Sequence, residues 1–124
     1  MSRASKAYAS AQVRTRVASV KMFVGEVRRV DADLSAAIPA GGSIIKAVWE
    51  LGAPYGAVMS DPAIDGLSTS VLIDAAYVGC SALCCIVTLN DNTALTQMFS
   101  LRILDNGLTQ TQFTPGPSRV EVTA

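Results

Sequence analysis

Apolar and polar residues alternate with a period of two along several short segments of this chain, and this pattern constrains the fold more than any other feature. The alternation is clear in residues 29–34, 69–73 and 99–103, and side chains on a β-strand point to opposite faces with the same period. Turn-forming clusters separate the segments: "PAGGS" at 39–43, "NDN" at 90–92 and "DNG" at 105–107. The pattern predicts five or six short strands and an all-β fold, an antiparallel β-sandwich.

The segment "SIIKAVWEL" carries the strongest core prediction. In an extended strand Ile45, Ala47, Trp49 and Leu51 share one face, and the large indole makes that face the buried one. The alternation in "ALCCIVTL" and "MFSLRIL" extends the same reasoning to two later strands. The predicted core markers are Trp49, Leu83, Cys85, Val87, Phe99 and Leu101.

The composition limits the classes of protein to which this chain can belong. The chain has 124 residues, enough for one hydrophobic core, and only 16% of them are charged, against about 25% in a typical soluble domain. So little charge predicts that part of the surface is covered by partners, and we expect a homo-oligomer. The longest apolar run spans residues 82–87, far below the roughly 20 residues of a membrane span. No apolar segment follows the basic N-terminus, so the chain is expected to be soluble and not secreted.

Charge is segregated along the chain, although the formal net charge is zero. Residues 1–29 hold seven cationic side chains against one carboxylate, a net charge of +6, and the remaining residues hold three against nine, a net charge of −6. This asymmetry indicates a basic arm on an acidic body. The arm either docks on an acidic partner surface, with a protein favoured over nucleic acid, or is a solvated tail. The candidate docking residues are Arg3, Lys6, Arg14 and Arg16.

These patterns divide the chain into an N-terminal arm at 1–22, a sandwich at 23–106 and a C-terminal tail at 107–124. Within the tail, "RVEV" at 119–122 is expected to be able to add an edge strand to a neighbour. Tyr55, flanked by small residues in "GAPYGAV", is a candidate contact residue. A tyrosine lying over the edge of the sandwich would explain the same pattern.

Three cysteines, Cys80, Cys84 and Cys85, lie close together in a chain without histidine. On a strand, Cys80 and Cys84 share one face about 13 Å apart and Cys85 points to the other, so the three thiols cannot converge on a metal or form an internal disulfide. We interpret them as small apolar residues of a tight sheet, made in a reducing compartment. An interchain disulfide through Cys80 or Cys84 stays open.

Catalytic chemistry finds little support in the sequence. A nucleophilic cysteine needs a base, and histidine is absent. The carboxylate pairs Asp31/Asp33 and Asp61/Asp65 could bind a cation or act as acid and base, but solvated sheet faces carry such pairs routinely. The sequence therefore predicts a protein that is not an enzyme, with no cofactor and no metal.

Residues 79–91 and the upstream Trp49 resemble an immunoglobulin-like sandwich common in virion proteins of tailed bacteriophages. The resemblance rests on Gly79, then on Leu83, Cys85 and Val87 at alternating positions running into "VTL", with Asp91 in the hairpin, and it covers residues 23–104. The chain departs from it where Ser81 replaces a corner tyrosine, and where no upstream cysteine can pair across the sheets.

The resemblance implies an immunoglobulin-like sandwich with extended N-terminal arm and C-terminal tail, acting as a structural virion protein assembled in the host cytoplasm. A capsid decoration or cement protein, with capsid or tail subunits as partners, is the first expectation. The alternative is a module of the tail, baseplate or fibre that binds a host receptor or glycan through the loops at "APYGAV", "DPAIDG" and "NDNT".

Overall fold

The computed structural model describes residues 5–8 (backbone only), 17–52, 56–105, 107 and 117–124. These residues form nine strands and no helix, so the all-β prediction is confirmed. The strands are β1 (Ser5–Tyr8), β2 (Ala18–Phe23), β3 (Val27–Asp33), β4 (Ile44–Leu51), β5 (Ala57–Asp65), β6 (Ser68–Ala75), β7 (Gly79–Leu89), β8 (Ala94–Leu104) and β9 (Arg119–Thr123).

The strands build two sheets, which confirms the coarse architecture. One sheet has four strands in the order β1-β3-β6-β5, and the other has five in the order β2-β8-β7-β4-β9. Most neighbours pair antiparallel, whereas β1 with β3 and β2 with β8 run parallel. The inner faces of the two sheets share one buried cluster, as the period-two alternation requires.

The core is centred on Trp49 and Phe99, whose rings stack 5.7 Å apart with an interplanar angle of 29°. Both side chains are buried, as are the other four core markers, Leu83, Cys85, Val87 and Leu101. The Trp49 indole Nε1 donates a hydrogen bond to Thr69 Oγ1 at 3.2 Å. Because Trp49 lies on β4 and Thr69 on β6, this bond joins the two sheets inside the core.

The burial of "SIIKAVWEL" departs from simple alternation. Ile45, predicted to face the core, is 40% exposed, and its neighbour Ile44 is buried instead. The register of β4 against β7 shifts between Ile44 and Lys46. Such an irregularity inserts one extra residue and reverses the inside-outside order before it, so the prediction for Ile45 was wrong.

Three strands, β1, β2 and β9, lie wholly or mostly in segments that sequence patterning assigned to the arm and the tail. Strand β2 spans Ala18–Phe23 and pairs with β8. Strand β9 contains "RVEV" and pairs with β4 of its own chain, so the predicted edge strand is added within the chain. In β1, Lys6 stands in register with Asp31 of β3, which places one residue of the basic arm beside the acidic body.

Candidate partner-binding surface

Three loops gather at one end of the sandwich, which we call the loop end: residues 34–43, 66–67 and 90–93. Strands β3, β5 and β7 all run toward this end, and β4, β6 and β8 begin there, because each of these pairs is joined by one of the three loops. Loops at the ends of a rigid sandwich are where partner contacts concentrate.

Asn90 ties the first loop to the third. Its backbone N–H donates to the Ser43 carbonyl at 3.0 Å, and its side-chain Oδ1 accepts from the Ser43 N–H at 3.2 Å. Its Nδ2 donates to the Gly41 carbonyl at 3.3 Å. These three bonds join segments 47 and 49 residues apart, and they fix the position of the loop 34–43 relative to the β7–β8 hairpin.

The first loop is also fixed to the core and to the second loop. Leu34 is 1% exposed, and its N–H donates to the Leu67 carbonyl at 3.0 Å, which links the first loop to the second. The Leu34 carbonyl accepts hydrogen bonds from Ala37 and Ile38, whose side chains are buried. The buried residues Leu34, Ala37 and Ile38 thus fix the loop to the core, and the rest of the loop lies at the surface.

Gly42 is required by the shape of this loop. A Cβ added there would lie 2.6 Å from Ile38 Cγ2 and 2.9 Å from the Pro39 carbonyl oxygen. The Gly42 N–H donates to that same carbonyl at 2.9 Å, so the close approach is part of the turn. A side chain at this position would force Ile38 or the Pro39 carbonyl to shift.

The third loop is ordered by its own aspartate. Asp91 Oδ1 accepts from the Thr93 hydroxyl at 2.6 Å and from the Thr93 N–H at 3.0 Å. These two hydrogen bonds, the hydroxyl bond first, lower the pKa of the Asp91 carboxyl because they favour its charged form. The hairpin therefore presents an ionised carboxylate at its tip.

The exposed part of the loop end is small, weakly apolar and acidic. Its exposed residues are Ser35, Ala36, Pro39, Ala40, Gly41, Ser43, Asp65, Gly66, Asn90, Asp91, Asn92 and Thr93. The three loops contain no lysine and no arginine. Such a surface suits close approach of a partner's backbone, with carboxylates at the margin.

Of the five partner-binding residues predicted from the sequence, the structure describes the position of one. Arg3, Arg14, Arg16 and Tyr55 fall outside the described residues. Lys6 lies on the edge strand β1 in register with Asp31, two residues before β3 reaches the loop end. Sequence reasoning interpreted "PAGGS" only as a turn and so missed its contact with Asn90. The available signal was the asparagine that follows the buried run of β7.

Of the three loop segments named for the adhesion alternative, two reach this end within the described residues. "NDNT" forms the third loop, and "DPAIDG" contributes residues 61–65 to β5 and Gly66 to the second loop. Of "APYGAV" the structure describes residues 56–58, which lie at the start of β5 at the opposite end. Asp61 has a positive φ of 49°, and its Oδ2 pairs with Arg29 Nη2 at 2.5 Å. Asp61 therefore serves a structural ion pair across the sheet.

The cysteines take the faces that the strand alternation predicted. Cys80 is exposed, Cys84 is half-buried on the same outer face, and Cys85 is buried in the core. Burial raises the pKa of the Cys85 thiol, with the neighbouring Cys84 adding to the effect. Burial and then the Glu50 carboxylate raise the pKa of Cys84.

Among the described residues, no group of three or more His, Cys, Asp or Glu side chains is placed to hold a metal. No helix in the same part of the chain is long and apolar enough to cross a bilayer.

Solved structures share this fold at low sequence identity. PbICP-C, solved in complex with falcipain-2, matches with a TM-score of 0.56 and 11% identity over 81% of this chain and 99% of that chain. The cysteine protease inhibitor EhICP2 from Entamoeba histolytica matches with a TM-score of 0.47 and 9% identity over 82% and 97% of the two chains. No family model and no curated protein matches the sequence.

These likenesses correct the functional prediction. PbICP-C, the neighbour with the higher TM-score, is not a phage protein and was solved in complex with falcipain-2, so the prediction of a virion decoration protein, or of a tail-associated adhesion module, was wrong. The predicted capsid and tail partners are wrong as well, because the partner of this fold neighbour is falcipain-2 and not a virion protein. The physical reason is that the resemblance rested on core positions such as Trp49 and Cys85, and core positions specify a sandwich without specifying its function.

Proposed function

We propose that the sandwich is immunoglobulin-like in topology. In that fold the strands A, B, E and D form one sheet and G, F and C form the other. The order β1-β3-β6-β5 matches the first sheet, and β8-β7-β4 within the five-stranded sheet matches the second. On this assignment the loop end carries the B–C, D–E and F–G loops.

We propose further that the protein is a non-enzymatic inhibitor of a cysteine protease, which it binds through the loop end. The observation that carries this proposal is the set of three hydrogen bonds that join Asn90 to Ser43 and Gly41, two donated by Asn90 and one by the Ser43 N–H. A loop that is already fixed loses little conformational entropy on binding, and this saving raises affinity. The fold neighbour solved in complex with falcipain-2 supplies the class of partner.

The shape and chemistry of the loop end fit this role. Enzyme active sites are concave, and the projecting first loop has exposed Ala36, Pro39 and Ala40 with small side chains that approach such a cleft closely. The buried, protonated Cys85 is unsuited to nucleophilic chemistry of its own. The protein thus acts by occupying a site.

The test is an inhibition assay of the purified chain against falcipain-2 and a panel of other cysteine proteases. We expect competitive inhibition of at least one of them. Ala40→Arg places a long cation at the exposed tip of the first loop and should weaken inhibition at least tenfold, which corresponds to about 1.4 kcal/mol. Val78→Arg is the matched control, because Val78 is 50% exposed and lies at the opposite end of the sandwich.

Asn90→Ala separates loop order from direct contact. It removes the side-chain bonds to Ser43 and Gly41 and should weaken inhibition by about tenfold through the entropy of reordering the loop. Lack of inhibition across the panel would refute the proposal. So would inhibition that Val78→Arg abolishes while Ala40→Arg leaves it intact.

A further inference from the structure

The outer faces of the two sheets differ in chemistry. On the four-stranded sheet, Leu72 is flanked by Arg29 and Ser60 in register, and Arg29 is engaged by Asp61 and Ser70. Polar and charged side chains thus surround the central apolar residue on that face. The Arg29 guanidinium is hydrogen-bonded within the chain, and this centre of the face is suited to contact with solvent.

The outer face of the five-stranded sheet has an apolar centre. Ala82 is exposed and Cys84, Ile86 and Met98 are half-buried on neighbouring strands β7 and β8. Cys84 stands in register with Met98, and Ile86 with Val48 of β4. We call Ala82, Cys84, Ile86 and Met98 the apolar strip. One side of it opens into a groove of about 380 Å³, which Val17, 62% exposed, borders together with Cys80, Ala82, Met98 and Ser100.

Charged side chains frame this strip. On the β4–β9 side, Lys46 pairs with Glu121 at 3.4 Å, and Arg119 pairs with Glu50 at 3.6 Å and with Glu121 at 3.4 Å. On the β2–β8 side, Lys21 and Arg102 stand in register. An apolar centre inside a polar rim is the anatomy of a protein–protein interface.

The size of the face suits a dimer. Five strands spaced about 4.8 Å apart, with about eight residues each at 3.3 Å per residue, cover roughly 24 Å by 26 Å. Two copies packed on this face would bury about 1,200 Å² in total, the lower limit of specific interfaces. The flat, extended shape lets the same patch pair with itself about a two-fold axis.

We propose that a second copy of this chain covers the apolar strip, forming a symmetric dimer through the five-stranded sheets. The low fraction of charged residues, 16%, agrees with a surface that is buried in the assembled protein. The strip lies on the flank of the sandwich, so both loop ends stay accessible. The dimer is therefore independent of protease binding, and either proposal can fail alone.

Sedimentation equilibrium over a range of concentrations tests the dimer. The wild-type chain should sediment as a dimer, and both Ile86→Glu and Met98→Lys should raise the dimer Kd at least about tenfold, because each places an unpaired charge in a desolvated centre. Leu72→Glu makes the same kind of change at the centre of the opposite outer face and should leave the dimer intact. Circular dichroism of each variant shows that the sandwich is folded.

Chemical cross-linking through Cys84 tests the dimer without substituting any residue of the apolar strip. In a two-fold dimer a central residue lies near its symmetry mate, so Cys80→Ser protein should be cross-linked through Cys84 by a short bismaleimide at mildly alkaline pH. Leu72→Glu in this background should cross-link equally, and Ile86→Glu should not. A monomer at every concentration would overturn the proposal, as would a dimer that Leu72→Glu disrupts and Ile86→Glu does not.

Discussion

Trp49 and Thr69 meet in the middle of the sandwich, where the indole Nε1 donates to Thr69 Oγ1 at 3.2 Å. The Thr69 hydroxyl in turn donates to the Ala63 carbonyl at 2.7 Å. Thr69 is 1% exposed and Trp49 is fully buried, so water cannot replace either bond. One hydroxyl therefore satisfies two polar groups and joins the sheets.

Thr69→Val should destabilise the protein by about 1–3 kcal/mol, because it keeps the shape of the side chain and leaves the buried indole N–H without an acceptor. Urea unfolding followed by Trp49 fluorescence measures the change. Thr96→Val, an identical substitution at an exposed position of β8, should stay within about 0.5 kcal/mol of wild type. Equal effects of the two variants would show that the Trp49–Thr69 bond contributes nothing to stability.

Thr93→Val should raise the pKa of Asp91 toward its ordinary value of 3.8, because the hydroxyl is the largest cause of the depression. A carboxyl whose pKa is lowered by folding adds stability above its unfolded-state pKa and loses it as the pH falls through the folded-state value. The third loop of the wild type should thus keep its order at pH 3.8 and lose it below. NMR titration of the Asp91 carboxyl measures both values, and an unchanged pKa in Thr93→Val would contradict the assignment.

The three thiols should react with a maleimide in the order Cys80, Cys84, Cys85. Cys80 is exposed, whereas Cys85 is buried with a raised pKa, so Cys85 should react only after unfolding. Mass spectrometry of the labelled protein, with and without denaturant, gives the order. Rapid labelling of Cys85 in the folded protein would mean that the core opens readily.

The raised pKa of Cys85 also makes stability depend on pH. Above pH 9.0, the ordinary thiol value, the unfolded chain loses this proton while the folded chain keeps it, so the free energy of unfolding falls as the pH rises. Cys85→Ala should reduce this slope, by up to about 1.4 kcal/mol per pH unit. Urea unfolding at several pH values above 9.0 tests it, and an identical slope in the variant would exclude Cys85 as the source.

Gly42→Ala should destabilise the protein by about 1–3 kcal/mol, because its Cβ would press on the Pro39 carbonyl and on Ile38. The neighbouring Ser43→Ala keeps the backbone bonds to Asn90 and should have little effect. Thermal unfolding compares the two. A Gly42→Ala protein as stable as wild type would show that the first loop accommodates a side chain there.

Much of the scaffold follows from local pattern. Alternation in "ALCCIVTL" and "MFSLRIL" predicted which side chains of β7 and β8 are buried, and the turn clusters predicted where strands end. The burial of Ile45 was predicted wrongly because an irregularity in β4 shifts the alternation by one residue. The pairing of β4 with β7 sets this shift. The sequence pattern assigned strand β2 to the arm because "ASVKMF" is short and follows a basic segment.

The sequence by itself determined the two-sheet, all-β architecture and the buried positions around Trp49, because side-chain period and turn chemistry act over a few residues. The tertiary structure alone decided that Asn90 meets Ser43 and Gly41, and that Cys84, Ile86 and Met98 share one exposed face. Those neighbours depend on strand order and direction, which bring together residues up to 49 positions apart. No local pattern encodes such a separation, so the candidate surfaces became visible only in the folded chain.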